Sequence, residues 1–254
     1  MITSIQNSRI KQFALLQTKR GRDASKLFIV EGEHLIQAAI SVGVLDVLIY
    51  SGSNEYHDGP WETIEVSRTV LERLSNVKTP SNYIGICHMK ENKISSLPSR
   101  IIALNDVQDP GNGGTIARSA IAFNFPLMWL SNDSFDWYND KMIRSTMGAW
   151  FTLQHERVSL SSSLLQAKQD GYQIVIADSN PPFITLSDYI PTHRMVLVMG
   201  SEGQGISPEI RSLADVIIRI PMSSQMESLN VGVAASIIME RIYEHDQQNK
   251  RDQL

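Results

Sequence analysis

Three short stretches hold the residue types that could do chemistry: NDVQDPGNGGTIARSA (105–120), LVMGSEGQGIS (197–207) and IPMSSQMESLN (220–230). Each joins amide, hydroxyl or carboxylate side chains to an apolar run, and the first two are rich in glycine. In parallel α/β sheets such loops expose backbone amides at the strand ends, and ligands collect there. Familiar phosphate-binding patterns are absent. GSEGQG has glycines at its first, fourth and sixth positions, which fails GxGxxG, and no GxxxxGK[ST] occurs anywhere. Within the first loop, Arg118 sits among Ile116, Ala117, Ala120 and Ile121, about 9 Å of helix rise beyond Asn112. A charge in that setting calls for a partner. Asn112 fits either a helix cap after Asp109-Pro110-Gly111 or a functional amide, and Glu202 either orders its own loop or acts on a ligand.

Short alternating elements must position these loops. A helix is expected near 8–18, a strand at KLFIVEG, a helix through EHLIQAAISVG, a strand at VLDVLIY, a helix at 68–75 and a strand at 83–88. MKENKISSLPSR is polar and carries Pro98, which marks a linker near 89–99 and divides the chain into domains 1–95 and 100–254. Beyond it RIIALND, PLMWL, YQIVIAD, RMVLVMG and ADVIIRI read as strands buried on both faces, with a helix from about 113 to 124 after the first. Strands of that kind joined through helices predict a parallel sheet, so the fold class is α/β. The tail EHDQQNKRDQL reads as frayed.

The 254 residues carry a net charge of −4, yet Arg9, Lys11, Lys19, Arg20, Arg22 and Lys26 face only Asp23 in the first 26 positions. That segment fits a patch that tracks phosphates or a solvated helix face, since screening confines each charge to about 8 Å. No stretch is long and apolar enough to span a membrane, and the N-terminus lacks the core of a secretion signal, so a cytoplasmic location is expected. The single cysteine, Cys87, lies in YIGICHM and reads as a buried, inert thiol. Six histidines without HExxH, and no CxxC, give no metal site. His34, His88, His155 and His193 read as structural or surface groups, and NDSFDWYND (132–140) as an exposed loop.

In order and spacing, DPGNxGxxxR, GSEGxGIS and IPMxxxxESLNVxVAASI resemble the three motifs of the SpoU (TrmH-like) branch of the SPOUT RNA methyltransferases. The N-terminal ITSIQNSRIKQ and KLFIVEGEHLIQAA are similar to the L30e-like RNA-binding domain that precedes many members. The resemblance implies a parallel-sheet catalytic domain whose C-terminal segment threads a trefoil knot, a homodimer, S-adenosylmethionine as cofactor, and methyl transfer to a ribose 2′-hydroxyl of rRNA or tRNA. It places the cofactor at Met199, Gly200, Ile220, Met222, Ser228 and Leu229, and the chemistry at Asn112, Arg118, Glu202, Ser228 and Asn230. The polar turn 222–228 would wall the pocket, and Gly232, Ala234, Ala235 and Ser236 would let the next helix pack closely. Arg9, Lys11, Lys19, Arg20, Arg22 and Lys26 would then bind RNA. Ser224 stands where many relatives carry glycine, which puts the shape of the turn in question. An RNA-binding or ribosome-assembly protein that kept the fold without turnover is the alternative.

Overall fold

The computed structural model describes residues 1–53, 55, 56, 59–90 and 94–251; part of the expected linker and the last three residues of the tail lie outside them. The chain forms two compact units, residues 1–91 with 136–151 and residues 92–135 with 152–254. Residues 136–151 therefore belong to the first unit, although they lie inside the range expected for the second domain.

In the first unit, α1 (Ser8–Leu15) begins where the Asn7 side chain accepts from the amides of Arg9 and Ile10, and it buries Ile10 and Phe13. The expected helix stops short of residue 18 because Thr18 caps a separate α2 (Lys19–Ser25). β1 (Leu27–Glu31), α3 (Glu33–Ser41), β2 (Leu45–Tyr50), β3 (Glu62–Glu65), α4 (Arg68–Leu74) and β4 (Tyr83–His88) follow. Their sheet runs β1-β4-β2-β3, antiparallel except for β2 against β3. Isoleucines, leucines and valines from both layers form its core, including Ile49, Leu71 and Ile84.

The second unit is one sheet of seven parallel strands. β5 (Arg100–Asn105) leads to α5 (Pro110–Ala122) and β6 (Leu127–Leu130). After α6 (Asp140–Ser145), which packs on β1 in the first unit, come β7 (Gln154–Arg157), α7 (Leu160–Gln169), β8 (Gln173–Ala177), β9 (Ile184–Thr185), β10 (Met195–Gly200), α8 (Pro208–Arg211), β11 (Val216–Arg219) and α9 (Val231–Arg251). The order is β7-β6-β5-β10-β8-β11-β9. The central strands β5, β6 and β10 are almost wholly buried, as expected for strands covered on both faces. From β11 near one edge the chain returns to lay α9 on α5 and β10.

Several expectations change in three dimensions. Arg22 is 6% exposed; it ion-pairs with Asp136 and donates to the Leu16 carbonyl at 2.9 Å. It holds the first unit together and is not open to RNA. NDSFDWYND is no exposed loop: Phe135 and Trp137 are buried, and the Tyr138 and Trp150 rings lie 5.2 and 4.8 Å from Phe28. Its aromatics supply core, and its acids serve as partners and turn residues. The tail is helical to Arg251, because Asp246 accepts three bonds from Arg100, two from Nη2 at 2.7 and 2.8 Å and one from Nε at 3.2 Å. Cys87 is buried and its thiol is pushed up in pKa by desolvation, consistent with an inert group. His34 meets the Met147 carbonyl and His88 meets Asp46, each at 3.0 Å.

Candidate active site

The site forms where β5, β8, β10 and β11 end. Register pairs Gly200 with Asn105, so the first and second polar loops leave the sheet side by side. The buried Asn105 joins them by accepting from the Ser207 amide at 2.9 Å. The second loop closes on itself through reciprocal bonds between Ser201 and Gly205 at 3.1 and 2.9 Å. Gly205 holds φ at 68°, a region that favours glycine. Gly200 is required for a different reason: a Cβ there would lie 2.4 Å from backbone atoms of Gly205.

α5 starts at Asp109, whose carboxylate accepts from the Gly111 amide at 3.1 Å, so Asn112 is not the cap. Gly113 lets this first turn sit against the ring of Phe135. Asn112 is thereby free to bridge the other two loops. Its Nδ2 donates to Glu202, and its Oδ1 accepts from Asn230 Nδ2 at 2.9 Å. Asn230 Oδ1 in turn accepts from the Gly232 and Val233 amides at 2.9 and 3.3 Å, opening α9. One chain of amide and carboxylate bonds thus links residues 112, 202 and 230. Further along, α9 seats Gly232 against Thr115, and Ser236 bonds Ser119 at 2.7 Å.

Beside this chain opens a hollow of about 460 Å³, within the range of small-molecule sites. Met199, Gly200, Ile220, Met222, Ser228 and Leu229 all line it, with Glu202 and Asn230. The structure therefore brings together every residue expected to hold a cofactor. Glu227, in the turn expected to wall the pocket, lines it too, and the structure adds groups that the sequence reading did not single out, namely the loop Asp178–Asn180 after β8, and Ile206, Ile218 and Arg219. The signal for Asp178 was its place at the C-terminal end of YQIVIAD, where ligand loops emerge. The lining suits a nucleoside with a charged tail: aliphatic side chains for a base, the Glu202 and Glu227 carboxylates for a cationic centre, and a glycine strand end for close approach.

Arg118 departs from expectation. Ile116, Ala117 and Ala120 occupy the buried face of α5, while Arg118 is exposed, lies outside the lining of the hollow and makes no ion pair or hydrogen bond among the described residues. Facing solvent, it needs no partner. Of the basic N-terminal side chains, Lys11, Lys19, Arg20 and Lys26 are exposed, whereas Arg9 is engaged by Glu62, whose carboxyl this bond holds below its ordinary range.

Comparison with known proteins matches residues 99–240 to the model of the SpoU rRNA Methylase family, a span that contains all three loops. The chain belongs to this family. Residues 7–85 match the MRM3-like substrate binding domain. Among relatives of the family, the 23S rRNA (guanosine(2553)-2′-O)-methyltransferase RlmP of Bacillus subtilis is 28% identical over 244 residues, 94% of this chain and 97% of the relative. The 23S rRNA (uridine(2479)-2′-O)-methyltransferase of Streptomyces viridochromogenes is 28% identical over 258 residues, covering 94% and 90%. A crystal structure of an RNA 2′-O ribose methyltransferase superposes with a TM-score of 0.85 at 27% identity, covering 97% of this chain and 99% of that one. The AdoMet-bound rRNA methyltransferase from Sinorhizobium meliloti, at 24% identity and a TM-score of 0.87, shares the fold, with 96% and 97% covered.

Proposed function

We infer that this chain is an S-adenosylmethionine-dependent RNA 2′-O-ribose methyltransferase, that its target is ribosomal RNA, and that it works in the cytoplasm as a homodimer with a threaded C-terminal segment. The observation that carries the reading is the hollow at the strand ends, joined to the Glu202–Asn112–Asn230 chain. Family membership and the two rRNA-modifying relatives support the activity and the RNA class. No helix among the described residues is long and apolar enough to cross a membrane.

When bound, S-adenosylmethionine supplies a methyl group on a sulfonium. The chain's own residues must bring a ribose oxygen in line and keep water out. Asn112 and Asn230 fix each other and the start of α9, so the rim of the hollow is rigid before substrate arrives. Ser228, exposed at that rim, has a hydroxyl available for a ribose. A guanidinium stays protonated at any working pH, so Arg118 is no base. Its role is to grip a phosphate bidentately and stabilise the developing alkoxide, while the proton leaves through that phosphate or a water.

The homodimer gives the exposed position of Arg118 a use. Val233 and Ile237, one turn apart on α9, are exposed apolar side chains. They neighbour Gly232, which packs on Thr115, three residues before Arg118 on α5. An interface built on these helices would carry Arg118 towards the second chain's hollow. Lys11, Lys19, Arg20 and Lys26 supply phosphate contacts in the first unit.

The test is a mixed-chain assay. Arg118→Ala and Gly200→Ala chains should each fail to methylate rRNA alone, and mixing them should restore part of the turnover through dimers that hold one intact hollow and one intact arginine. No restoration in confirmed heterodimers would refute action across the dimer. Ribose-methylation mapping of RNA from cells lacking the gene should show one lost position in ribosomal RNA; a position in transfer RNA would refute the target.

A further inference from the structure

Arg211 touches no part of the three motifs' polar chain, yet its side chain is among the most heavily bonded in the second unit. It closes α8, directly after the 201–207 loop that forms one wall of the hollow. Its Nη1 pairs with Asp178, and its Nη2 donates to the Asn180 and Pro181 carbonyls at 2.7 and 3.2 Å. Asp178 uses its other carboxylate oxygen on Asn180, accepting from the backbone amide at 2.9 Å and from Nδ2 at 3.0 Å. Asp178 itself donates through its amide to the Ile218 carbonyl at 3.1 Å. Asp178 and Asn180 line the opposite wall of the hollow.

The pair is largely shielded, with Asp178 10% and Arg211 23% exposed at the side chain. Both Asp178 oxygens are taken, so the carboxylate is not offered to a ligand. A planar fork with several donors can satisfy three acceptors in one loop at once, which a lysine ammonium cannot do with the same geometry. The loop 178–181 has no other side-chain anchor of comparable number among the described residues.

We propose that Arg211 is a positioning residue for the cofactor site: its fork, closed on Asp178, holds the loop after β8 at the distance from the 201–207 loop that S-adenosylmethionine requires. It touches neither cofactor nor RNA and acts through the loop it pins. The proposal rests on the cofactor reading of the hollow.

Calorimetric titration with S-adenosylmethionine, paired with hydrogen exchange of the ligand-free protein, tests it. Arg211→Ala should weaken binding about tenfold or more, the effect expected when a charge-assisted bond in a shielded site is lost. Arg211→Lys should recover part of that loss, and Asp178→Asn should reproduce most of it, because the amide NH2 would face either the guanidinium or the Asn180 donors. In steady state KM for the cofactor should rise by a similar factor while kcat falls less than about threefold, since substrate alignment is untouched. The Asn180 amide should exchange faster in the ligand-free variants, with β10 amides unchanged. Binding within twofold of wild type in Arg211→Ala, or in Asp178→Asn if the alanine variant does not fold, overturns the proposal even if the loop exchanges faster. An equal loss in kcat and affinity also overturns it. A wild-type chain that binds no S-adenosylmethionine refutes the cofactor reading itself, and the proposal with it.

Discussion

Replacing Gly200 with alanine adds one methyl group at the most confined point of the site. The new Cβ would stand 2.4 Å from the Gly205 carbonyl carbon and oxygen and 2.7 Å from the Ile206 amide nitrogen. Ordinary carbon contacts lie near 3.5–4.0 Å, so the 201–207 loop must retreat by about 1 Å. Its backbone atoms cannot rotate away as a side chain would, and the Asn105–Ser207 bond holds them from behind. Overpacking of this kind costs about 1–3 kcal/mol, which lowers the melting temperature by roughly 2–10 °C in a unit of this size. A displacement of about 1 Å in a binding wall can cost about a hundredfold in function. A hundredfold is about 2.7 kcal/mol, so calorimetry should show cofactor affinity reduced by an amount comparable with the loss in stability. Gly203→Ala is the matched control for stability: its Cβ meets no protein atom within 4 Å, and it should melt as wild type. A Gly200→Ala protein that binds S-adenosylmethionine within twofold of wild type, with an unchanged melting temperature, would refute the tight approach of β10 to its loop and the pocket built on it.

Three further outcomes follow from individual contacts. Asn112→Ala removes the bridge between Glu202 and Asn230, and kcat for rRNA methylation should fall about a hundredfold with cofactor affinity little changed, as read by single-turnover and binding measurements. Arg22→Ala breaks a buried ion pair and should destabilise the first unit by about 3–5 kcal/mol in denaturant unfolding, whereas Lys19→Ala should leave stability intact and reduce the salt dependence of RNA binding by about one phosphate contact. His155 has its pKa depressed from 6.5 to about 3, by burial first and Arg157 second. The unfolded chain therefore takes up a proton that the folded chain refuses, and this contribution to stability is present above pH 6.5 and lost as the pH falls towards 3. The slope cannot exceed about 1.4 kcal/mol per pH unit from one group, and His155→Gln should flatten it in urea titrations across that window.

Much of the second unit was legible before folding. RIIALND, YQIVIAD and RMVLVMG are apolar on both faces and form covered parallel strands, whereas ADVIIRI, next to the edge, buries only Ile218 of its strand. The edge strands β7, with QHER, and β9, with two residues, lacked that signal because half-solvated edges tolerate polar side chains. α5 begins three residues before the expected start, because Asp109 rather than Asn112 caps it.

Composition and spacing by themselves determined the parallel sheet and the three polar loops at strand ends, since each depends on neighbours close in sequence; the residues that line the hollow were implied by the resemblance of the three motifs to the family. Tertiary structure alone decided which charges are free. Arg22 finds Asp136 across 114 positions, Arg211 finds Asp178 across 33, and Asn112 meets Glu202 and Asn230 across 90 and 118. Arg118, by contrast, turns to solvent. An isolated charged residue looks the same in a sequence whether it will be buried in an ion pair or left to meet a substrate. Desolvation and a partner from a distant segment distinguish the two, and both exist only once the chain has folded.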